Sequence, residues 1–237
     1  MKLKQLGNGG GLAFTQTNAS FLIERSPNNY LLFDCGYNIM QELVALDKSD
    51  DLFLLENLNT VFISHMHEDH IGNLTGLIYH RYFMLNKQTN IVCGPKVKEA
   101  LIDYLDLLCS ITYKSSKLQS ASMYEFSQPS SMLAIEGNHQ ILPSYGMLLG
   151  AQALYKHSNA LFISGDTKAD TNIEKRIHHY GLHRTRIYHD FSNWNAPSSN
   201  PHMCQSDMEA EYSPEFIAKL NFYHDGRQDF NREWITL

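Results

Sequence analysis

The hexapeptide HMHEDH, at residues 65–70, is the most informative segment of this chain. It places three imidazoles and the Asp69 carboxylate within six residues, directly after the apolar run at residues 61–63. Such a run predicts a buried strand, so the stretch lies where a strand opens into a loop. Imidazole nitrogens and carboxylate oxygens are good ligands for zinc and similar divalent metals, which makes this loop a candidate metal site.

The number of donors in this loop indicates two metal ions rather than one. A catalytic ion usually takes three protein ligands and keeps one position open, and four ligands already exceed that number. We therefore expect His65 and His67 to bind one ion. Asp69 and His70 would bind the other, and Glu68 is expected on the surface.

Length and charge restrict the possible functions. At 237 residues the chain is expected to be one domain, residues 1–237, because layered α/β folds often reach this length undivided. The formal net charge is −6, from 19 Lys and Arg against 25 Asp and Glu. This argues against an enzyme that grips long nucleic acid, since phosphate neutralisation dominates such binding. A small anionic substrate is compatible, because two bound dications reverse the sign locally.

The cysteines and the N-terminus predict a cytoplasmic protein. The four cysteines are scattered with no C-x-x-C pair, which is typical of reduced thiols rather than of a disulfide framework. The first residues turn glycine-rich before the apolar core of a signal peptide can form. No run of about 18 apolar residues exists, so we expect no membrane span.

The order of predicted elements indicates an α/β fold built from two similar halves. In the first half, strands are predicted at residues 3–6, 20–24, 30–33, 61–64 and 91–93, and helices at residues 39–46, 73–85 and 96–108. In the second half, strands are predicted at residues 132–135, 144–149, 151–155, 160–164, 185–188 and 220–223, and helices at residues 170–180 and 213–219. Each half can supply one sheet with helices on its outer face, which gives a four-layer αββα sandwich. The polar segment at residues 110–131 is predicted to be an excursion or a lid.

Three more residues at the ends of predicted strands are candidate ligands. Asp166 follows the strand at residues 160–164 and Gly165, a glycine that lets the backbone approach a site closely. A carboxylate in such a position can bridge two cations and hold them roughly 3.5–4 Å apart. His224 ends the strand at residues 220–223, and His139 lies between two strands.

Together these residues complete two coordination spheres that share Asp166. The first sphere is expected to contain His65, His67 and His139, and the second Asp69, His70 and His224. Two assignments have rivals in the sequence. His157 lies near His139, and His189 could replace His224.

With this ligand set the chain resembles the metallo-β-lactamase superfamily. The H-x-H-x-D-H motif of that superfamily is matched in full at residues 65–70, and its isolated His, its bridging Asp and its final His are matched by His139, Asp166 and His224. The resemblance implies the αββα sandwich with two zinc ions in a cleft between the sheet edges. Asp34 matches an Asp at the end of an early strand, and we expect it to orient a ligand His rather than to bind metal.

Several segments resemble the phosphodiesterase branch of the superfamily, which includes ribonuclease Z. Residues 69–77 are similar to its D-H-x-x-G-L-x-G-L pattern, and residues 144–146 to its S-x-G-Y strand start. Residues 188–192 resemble its H-E-A-T segment with Asp190 in place of the glutamate, and His202 matches the His of its H-S-T segment. A positioned imidazolium can protonate a leaving alkoxide, so His202 is the candidate general acid. Asp190 would orient it and stabilise its charge.

In length and compact layout the chain most resembles the phage anti-Pycsar proteins. Ribonuclease Z carries a basic arm between the isolated His and the bridging Asp, whereas only 27 residues separate His139 from Asp166 here. Anti-Pycsar proteins hydrolyse cyclic mononucleotides such as cyclic CMP and cyclic UMP, and work as homodimers in which a loop of one subunit completes the other's site. The resemblance therefore implies a homodimer, and the host cytoplasm for a phage-encoded chain. The segment at residues 110–131 could supply such a loop, with Tyr113 or Tyr124 stacking on the nucleobase.

The sequence leaves three other functions open. A ribonuclease Z-like tRNA 3′-processing endonuclease is the second choice. A lactonase or thioesterase is the third, and it has less need of the proton donor that His202 would provide. A domain that sequesters a nucleotide without cleaving it is the non-enzymatic alternative. The metal is expected to be zinc, although manganese would suit the same mixed donors.

Overall fold

Two mixed β-sheets form the centre of the fold. The structure is a computed structural model that describes residues 1–50, 53–109, 123–150, 159–192, 200–225 and 230–237, and the backbone of residues 112–113 and 116–117. The strands of the first sheet are β1 (Lys2–Gly7), β2 (Ser20–Ser26), β3 (Asn29–Phe33), β4 (Leu58–Ile63), β5 (Thr89–Cys93), β8 (Tyr124–Phe126) and β14 (Ile235–Thr236). Those of the second sheet are β9 (Met132–Glu136), β10 (Tyr145–Leu149), β11 (Ala160–Ile163), β12 (Thr185–Asp190) and β13 (Leu220–Tyr223). A separate ribbon pairs β6 (Thr112–Tyr113) with β7 (Ser116–Lys117).

The strand order brings the ends of parallel strands to one edge of each sheet. The strand order of the first sheet is β14-β1-β2-β3-β4-β5-β8, in which β3, β4, β5 and β8 are parallel to one another. The second sheet runs β13-β12-β11-β10-β9, and β11, β12 and β13 are parallel. In open α/β sheets ligands bind beyond the carboxyl ends of such strands.

Helices cover the outer faces of both sheets. They are α1 (Ile39–Ser49), α2 (Glu68–Ile71), α3 (Leu74–Tyr79), α4 (Pro95–Cys109), α5 (Thr171–Tyr180), α6 (Gln205–Glu211) and α7 (Pro214–Ile217). A π-helical turn at His80–Met84 follows α3, and 3-10 turns occupy Leu55–Asn57 and Leu182–Arg184.

The alternation of side chains along β10 shows the layers. Met147 and Leu149 pack into the larger core with the first sheet and with α1, α3 and α4. Leu148, which points the other way, packs into a second core with α5, α6 and α7. Since successive side chains of a strand face opposite sides, β10 lies between the two cores. The predicted αββα sandwich is confirmed.

Local sequence signals set where the second-half helices begin and end. The Asp170 side chain accepts a hydrogen bond from the backbone N–H of Asn172 and caps α5, which ends at Gly181 with φ +105°. Ser213 caps α7 in the same way through the N–H of Phe216, and Pro214 occupies the first turn. Such caps satisfy donors that the helix itself leaves unpaired.

Several predicted elements differ from those observed. The helix expected at residues 73–85 is divided, because its second half is the π-helical turn that buries Arg81, whose Nη2 donates to the Gln88 carbonyl at 3.0 Å. The excursion expected at residues 110–131 ends early, because β8 joins the first sheet beside β5. The strand expected at residues 151–155 lies outside the described residues.

Two further observations concern the chain end and the cysteines. Strand β14, which was not predicted, pairs antiparallel with β1 and extends the first sheet. All four cysteines are buried free thiols, as expected. None of the helices in the described ranges is both long enough and apolar enough to cross a lipid bilayer.

Candidate metal centre

The candidate ligands follow the carboxyl ends of strands from both sheets. His65 lies two residues beyond β4, Asp166 three residues beyond β11, and His224 directly after β13. His139 follows β9 in the same manner. The two sheets therefore deliver their strand ends to a common edge, and the structure brings together all nine site residues that the sequence singles out.

The first group of donors consists of three imidazoles and one carboxylate. His65, His67, His139 and Asp166 offer ligand atoms that all lie within 4.8 Å of one another. His65 Nε2 lies 2.9 Å from His67 Nδ1 and 3.7 Å from Asp166 Oδ2. This set matches the first predicted sphere.

The second group contains two carboxylates and two imidazoles. Asp69, His70, Asp166 and His224 satisfy the same 4.8 Å criterion. His70 Nε2 lies 3.3 Å from both Asp69 Oδ2 and Asp166 Oδ1, and His224 Nε2 lies 3.2 Å from Asp69 Oδ2. Asp166 belongs to both groups, which is the position expected of a bridging carboxylate.

Three buried polar atoms at the centre of this cluster lack hydrogen-bond partners. Within the described part of the chain, His70 Nε2, His139 Nε2 and Asp166 Oδ1 are buried and make no hydrogen bond of good geometry, although His70 Nε2 and Asp166 Oδ1 are only 3.3 Å apart. Leaving such atoms unpaired costs about 1–3 kcal/mol each. Nitrogen and carboxylate donors that converge without partners fit divalent cations such as zinc, so the residues present suit a binuclear metal centre.

Asp34 fixes the orientation of His70. Its Oδ2 lies 2.8 Å from His70 Nδ1, while its Oδ1 accepts the backbone N–H of Ser64 at 2.8 Å. Because Asp34 accepts a hydrogen bond from the Nδ1–H of His70, Nε2 is the ring nitrogen left for the cluster. Asp34 therefore contacts a candidate ligand without belonging to either ligand group.

His139 and His224 are held by backbone and side-chain contacts. The backbone N–H of Leu142 donates to His139 Nδ1 at 3.2 Å, a contact that fixes the plane of the ring. His224 has φ +67°, an unusual conformation for a non-glycine residue, and its N–H donates to Asn8 Oδ1 at 2.8 Å. The first contact orients the His139 ring, and the second holds the backbone of His224 in place.

The electrostatics of the cluster arise from mutual pairing of buried charges. Burial alone would lower the pKa of His224, but Asp166, Asp190 and Asp69 together raise that pKa to about 10. Burial favours the neutral form of Asp166, yet His224, His70 and His65 hold its pKa well below the usual range. Burial, reinforced by His70, keeps the pKa of His65 well below 6.5, so this ring is neutral and able to ligate.

His202 and Asp190 form a pair at the side of the cluster. His202 Nδ1 lies 2.9 Å from Asp190 Oδ2, and it lies 3.7 Å from Asp166 Oδ2. Asp190 is fully buried and also accepts the N–H of Thr167, whereas a quarter of the His202 side chain is exposed. Burial would lower the pKa of His202, but Asp190 raises it above 6.5 and favours the protonated ring.

The alternative candidates named from the sequence either have another role in the structure or lie outside the described residues. Both ring nitrogens of His189 are engaged, Nδ1 with the Asp190 carbonyl and Nε2 with the Tyr212 hydroxyl, each at 2.8 Å. His189 is therefore a structural residue. His157 lies outside the described residues, as does the Tyr113 side chain. Tyr124 is buried in β8 and is a wrong candidate for stacking on a base.

Sequence reasoning missed two residues that support the centre. Ser64 Oγ donates to Asp34 Oδ2 at 2.8 Å and lies 2.9 Å from His65 Nδ1. The sequence signal for Ser64 was its position directly before the candidate metal site at residues 65–70. Asn8 lies in the glycine-rich segment near the N-terminus, and nothing in the local sequence indicates its contact with His224, 216 residues away.

Close approach of the backbone explains two glycines. A Cβ on Gly36 would lie 1.7 Å from the Asp69 carbonyl oxygen, so no other residue fits beside this ligand. Gly165 precedes Asp166 with φ +64°, a conformation that glycine adopts without cost.

The two mixed sheets with a His and Asp cluster at their common edge define a protein of the metallo-β-lactamase fold. The chain is similar to the metallo-β-lactamase fold protein YhfI from Bacillus subtilis, with a TM-score of 0.64 and 19% identity over 94% of this chain and 85% of that one. The family described as anti-Pycsar protein Apyc1 matches residues 1–233. The chain belongs to that family.

Curated relatives match part of the chain. Over 102 residues it is 35% identical to the anti-Pycsar protein Apyc1 of Bacillus phage 010DV004, which covers 43% of this chain and 38% of that protein. Over 111 residues it is 29% identical to a ribonuclease Z of Methanosarcina mazei, which covers 46% of this chain and 35% of that protein. The chain thus matches little more than a third of the length of these relatives.

Proposed function

We propose that this protein is a binuclear zinc phosphodiesterase that hydrolyses 3′,5′-cyclic nucleotides, such as cyclic CMP and cyclic UMP, to nucleoside monophosphates. The observation that carries the proposal is one cluster in which Asp166 joins two groups of metal donors and the Asp190–His202 pair adjoins them. Membership of the anti-Pycsar protein Apyc1 family supports the same substrate class.

In the proposed chemistry the metal ions and the protein residues have different roles. Two divalent ions in this centre would neutralise the phosphate charge and supply a hydroxide nucleophile near neutral pH. The protein holds the donors in place through Asp34, Ser64 and Asn8, so little reorganisation is needed when the substrate binds. Manganese would satisfy the same donor set.

His202 is proposed to protonate the leaving oxygen. As the oxygen of water bonds to phosphorus, one P–O ester bond to the ribose breaks and the leaving oxygen needs a proton. His202 keeps Nδ1 on Asp190 and has Nε2 to donate from, and Asp190 stabilises the charged ring. The proton released by the attacking water returns through solvent to His202.

This pair favours phosphodiester over carbonyl substrates. An alkoxide expelled from phosphorus is a poor leaving group, so a fixed proton donor speeds its departure. A lactonase or thioesterase would have less need of the buried Asp190, whose desolvation must be offset by His202 and Thr167.

A small substrate is favoured over RNA. The net charge of −6 is unfavourable for a polyanion, and the interval between His139 and Asp166, where ribonuclease Z carries its arm, is only 27 residues long and contains β10 and β11. A ribonuclease Z-like activity on tRNA 3′ ends is the second candidate, supported by the similarity to the Methanosarcina mazei enzyme.

The family also suggests a setting for this activity. Hydrolysis of a cyclic nucleotide signal would let a phage evade bacterial Pycsar defence. We propose accordingly that the protein works in the cytoplasm, in that of the host if it is phage-encoded, and that it acts as a homodimer.

A turnover screen tests the proposal. Metal-loaded protein is incubated with a panel of 3′,5′-cyclic nucleotides and with precursor tRNA, with and without chelator, and products are followed. We expect cyclic CMP or cyclic UMP to be converted to the monophosphate, and chelator to stop the reaction. Activity on precursor tRNA alone would overturn the proposed cyclic nucleotide substrate. Tight binding of a cyclic nucleotide without product formation would indicate sequestration.

Variants of neighbouring residues provide the matched control. Asp69→Ala and His67→Ala should abolish turnover, because each removes a donor from one group. Glu68→Gln should not, because Glu68 is exposed and accepts a hydrogen bond from Tyr37 outside both groups. Full activity in either ligand variant would refute the assignment.

A further inference from the structure

A cleft lies beside the metal centre and has no role in the mechanism above. It encloses about 300 Å³ between the loop that follows β1 and the segment that follows β3. Its lining includes Gly11, Phe14 and Asn18 on one side and Tyr37 and Asn38 on the other. A volume of this size is at the small end of the range for organic ligands.

One residue that lines the cleft, Gly11, lies against a candidate metal donor. A Cβ on Gly11 would lie 3.4 Å from the Asp69 carboxylate, and one on Gly10 would lie 3.2 Å from the His224 ring. The loop therefore rests on two donors of the second group. A substrate whose phosphate bound at Asp69 and His224 would therefore lie against this loop.

Two aromatic rings border the cleft and are exposed to water. Phe14 is 80% exposed and Tyr37 is 38% exposed. The Tyr37 hydroxyl donates to Glu68, next to the ligand Asp69, which ties the ring to the metal-binding loop. Contact with a flat apolar surface would remove these exposed rings from water, which is favourable. The face of any nucleobase can stack on an aromatic ring in this way.

We propose that this cleft holds the nucleobase of the cyclic nucleotide, with Phe14 and Tyr37 as its stacking surfaces. The inference rests on the proposed function and names the part of the site that would bind the base. Asn18 and Asn38 add amide groups suited to the polar edge of a base. The buried Asn18 Oδ1 has no hydrogen-bond partner among the described residues, and an amino group of the base could donate to it only if the side chain turned toward the cleft.

Steady-state kinetics on the metal-loaded protein tests this assignment. Phe14→Ala should raise the KM for cyclic CMP about 10-fold, with a smaller effect on kcat, because a stacking partner of the base is lost. Phe14→Tyr should keep the wild-type KM, since the flat ring remains. Leu12→Ala is the matched control, because Leu12 is 87% exposed on the same loop but does not line the cleft.

A substrate without a base separates stacking from structural damage. Methyl riboside 3′,5′-cyclic phosphate carries the same cyclic phosphate but no base. Wild type and Phe14→Ala should therefore have equal KM values for it, and both values should exceed the wild-type KM for cyclic CMP. An unchanged KM for cyclic CMP in Phe14→Ala, with wild type active, would overturn the base cleft alone. So would a loss of the dimer on size-exclusion chromatography without a KM effect, because Phe14 would then contact a second copy. Absence of turnover of every cyclic nucleotide by wild type would overturn the proposed function and this inference together.

Discussion

Asp166 shows how one side chain can determine the character of a site. It is fully buried, it belongs to both groups of donors, and it lies near His65, His70 and His224. A buried carboxylate is costly unless cations surround it. Asp166 follows Gly165, whose backbone is in the left-handed conformation, and this turn of the chain directs the carboxylate toward both groups.

The residue whose removal best tests the proton transfer is His202. His202→Ala should lower kcat for cyclic nucleotides by about 10²–10⁴-fold, the usual contribution of general acid catalysis. The loss should nearly vanish for a p-nitrophenyl phosphodiester, because p-nitrophenolate leaves without a proton. His179→Ala, at an exposed position of α5, is the control. An equal loss on both substrates would assign His202 a role other than proton donation.

Asp34 tests the importance of a residue that contacts a ligand without binding metal. Asp34→Asn presents an amide where His70 Nδ1 needs an acceptor, which favours the tautomer whose Nε2 carries the proton. We expect metal affinity, measured by competition with a chelating dye, to fall about 10–100-fold. Asp103→Asn, exposed on α4, should have no effect. Unaltered affinity in Asp34→Asn would mean that the backbone alone orients His70.

At the scale of elements, helix α5 has a cap that can be tested separately from the site. Asp170→Ala removes the acceptor for the N–H of Asn172 and should lower the free energy of unfolding by about 1 kcal/mol. Asp170→Asn should retain most of that stability, since Asn caps helices as well as Asp. Urea denaturation measures both, and kcat should be unchanged in each. Equal stability of Asp170→Ala and wild type would show that packing of Ile173 and Ile177 alone holds α5.

Elements with strong periodicity were predictable, and those set by distant contacts were not. The β2 and β3 hairpin, β4, α4 and β11 follow from apolar runs and turn residues. The two-residue strand β14 has no such signal, because only its pairing with Lys2 and Leu3 makes it a strand. Similarly, the π-helical turn depends on the burial of Arg81, which local sequence does not specify.

At the scale of the whole molecule, the convergence of the candidate ligands was predictable, because residues with this chemistry are rare and the strand topology sets their position. Each candidate follows an apolar run, and parallel strands end at one edge, so ligand-type residues there must converge. The supporting contacts were harder to predict. Asn8 meets His224 only because β1 and β13 come together when both sheets form, and no spacing in the sequence records that meeting.

Metal removal should change stability more than structure. The two hydrophobic cores do not involve the donors, so chelated protein should keep its far-ultraviolet circular dichroism. Ions bound at about a thousand times their Kd stabilise the folded state by about 4 kcal/mol, which corresponds to a fall of about 10 °C in Tm on chelation. Chelator already saturated with zinc is the control. A Tm that does not respond to removal of the metal would place the ions away from this cluster.

The most direct test of the account is the metal content of purified protein, measured by inductively coupled plasma mass spectrometry. The arrangement of two donor groups sharing Asp166 predicts two transition-metal ions per wild-type chain and a lower content in Asp166→Ala. A wild-type protein prepared in the presence of zinc that carries none, or an Asp166→Ala variant that retains both ions, would contradict it.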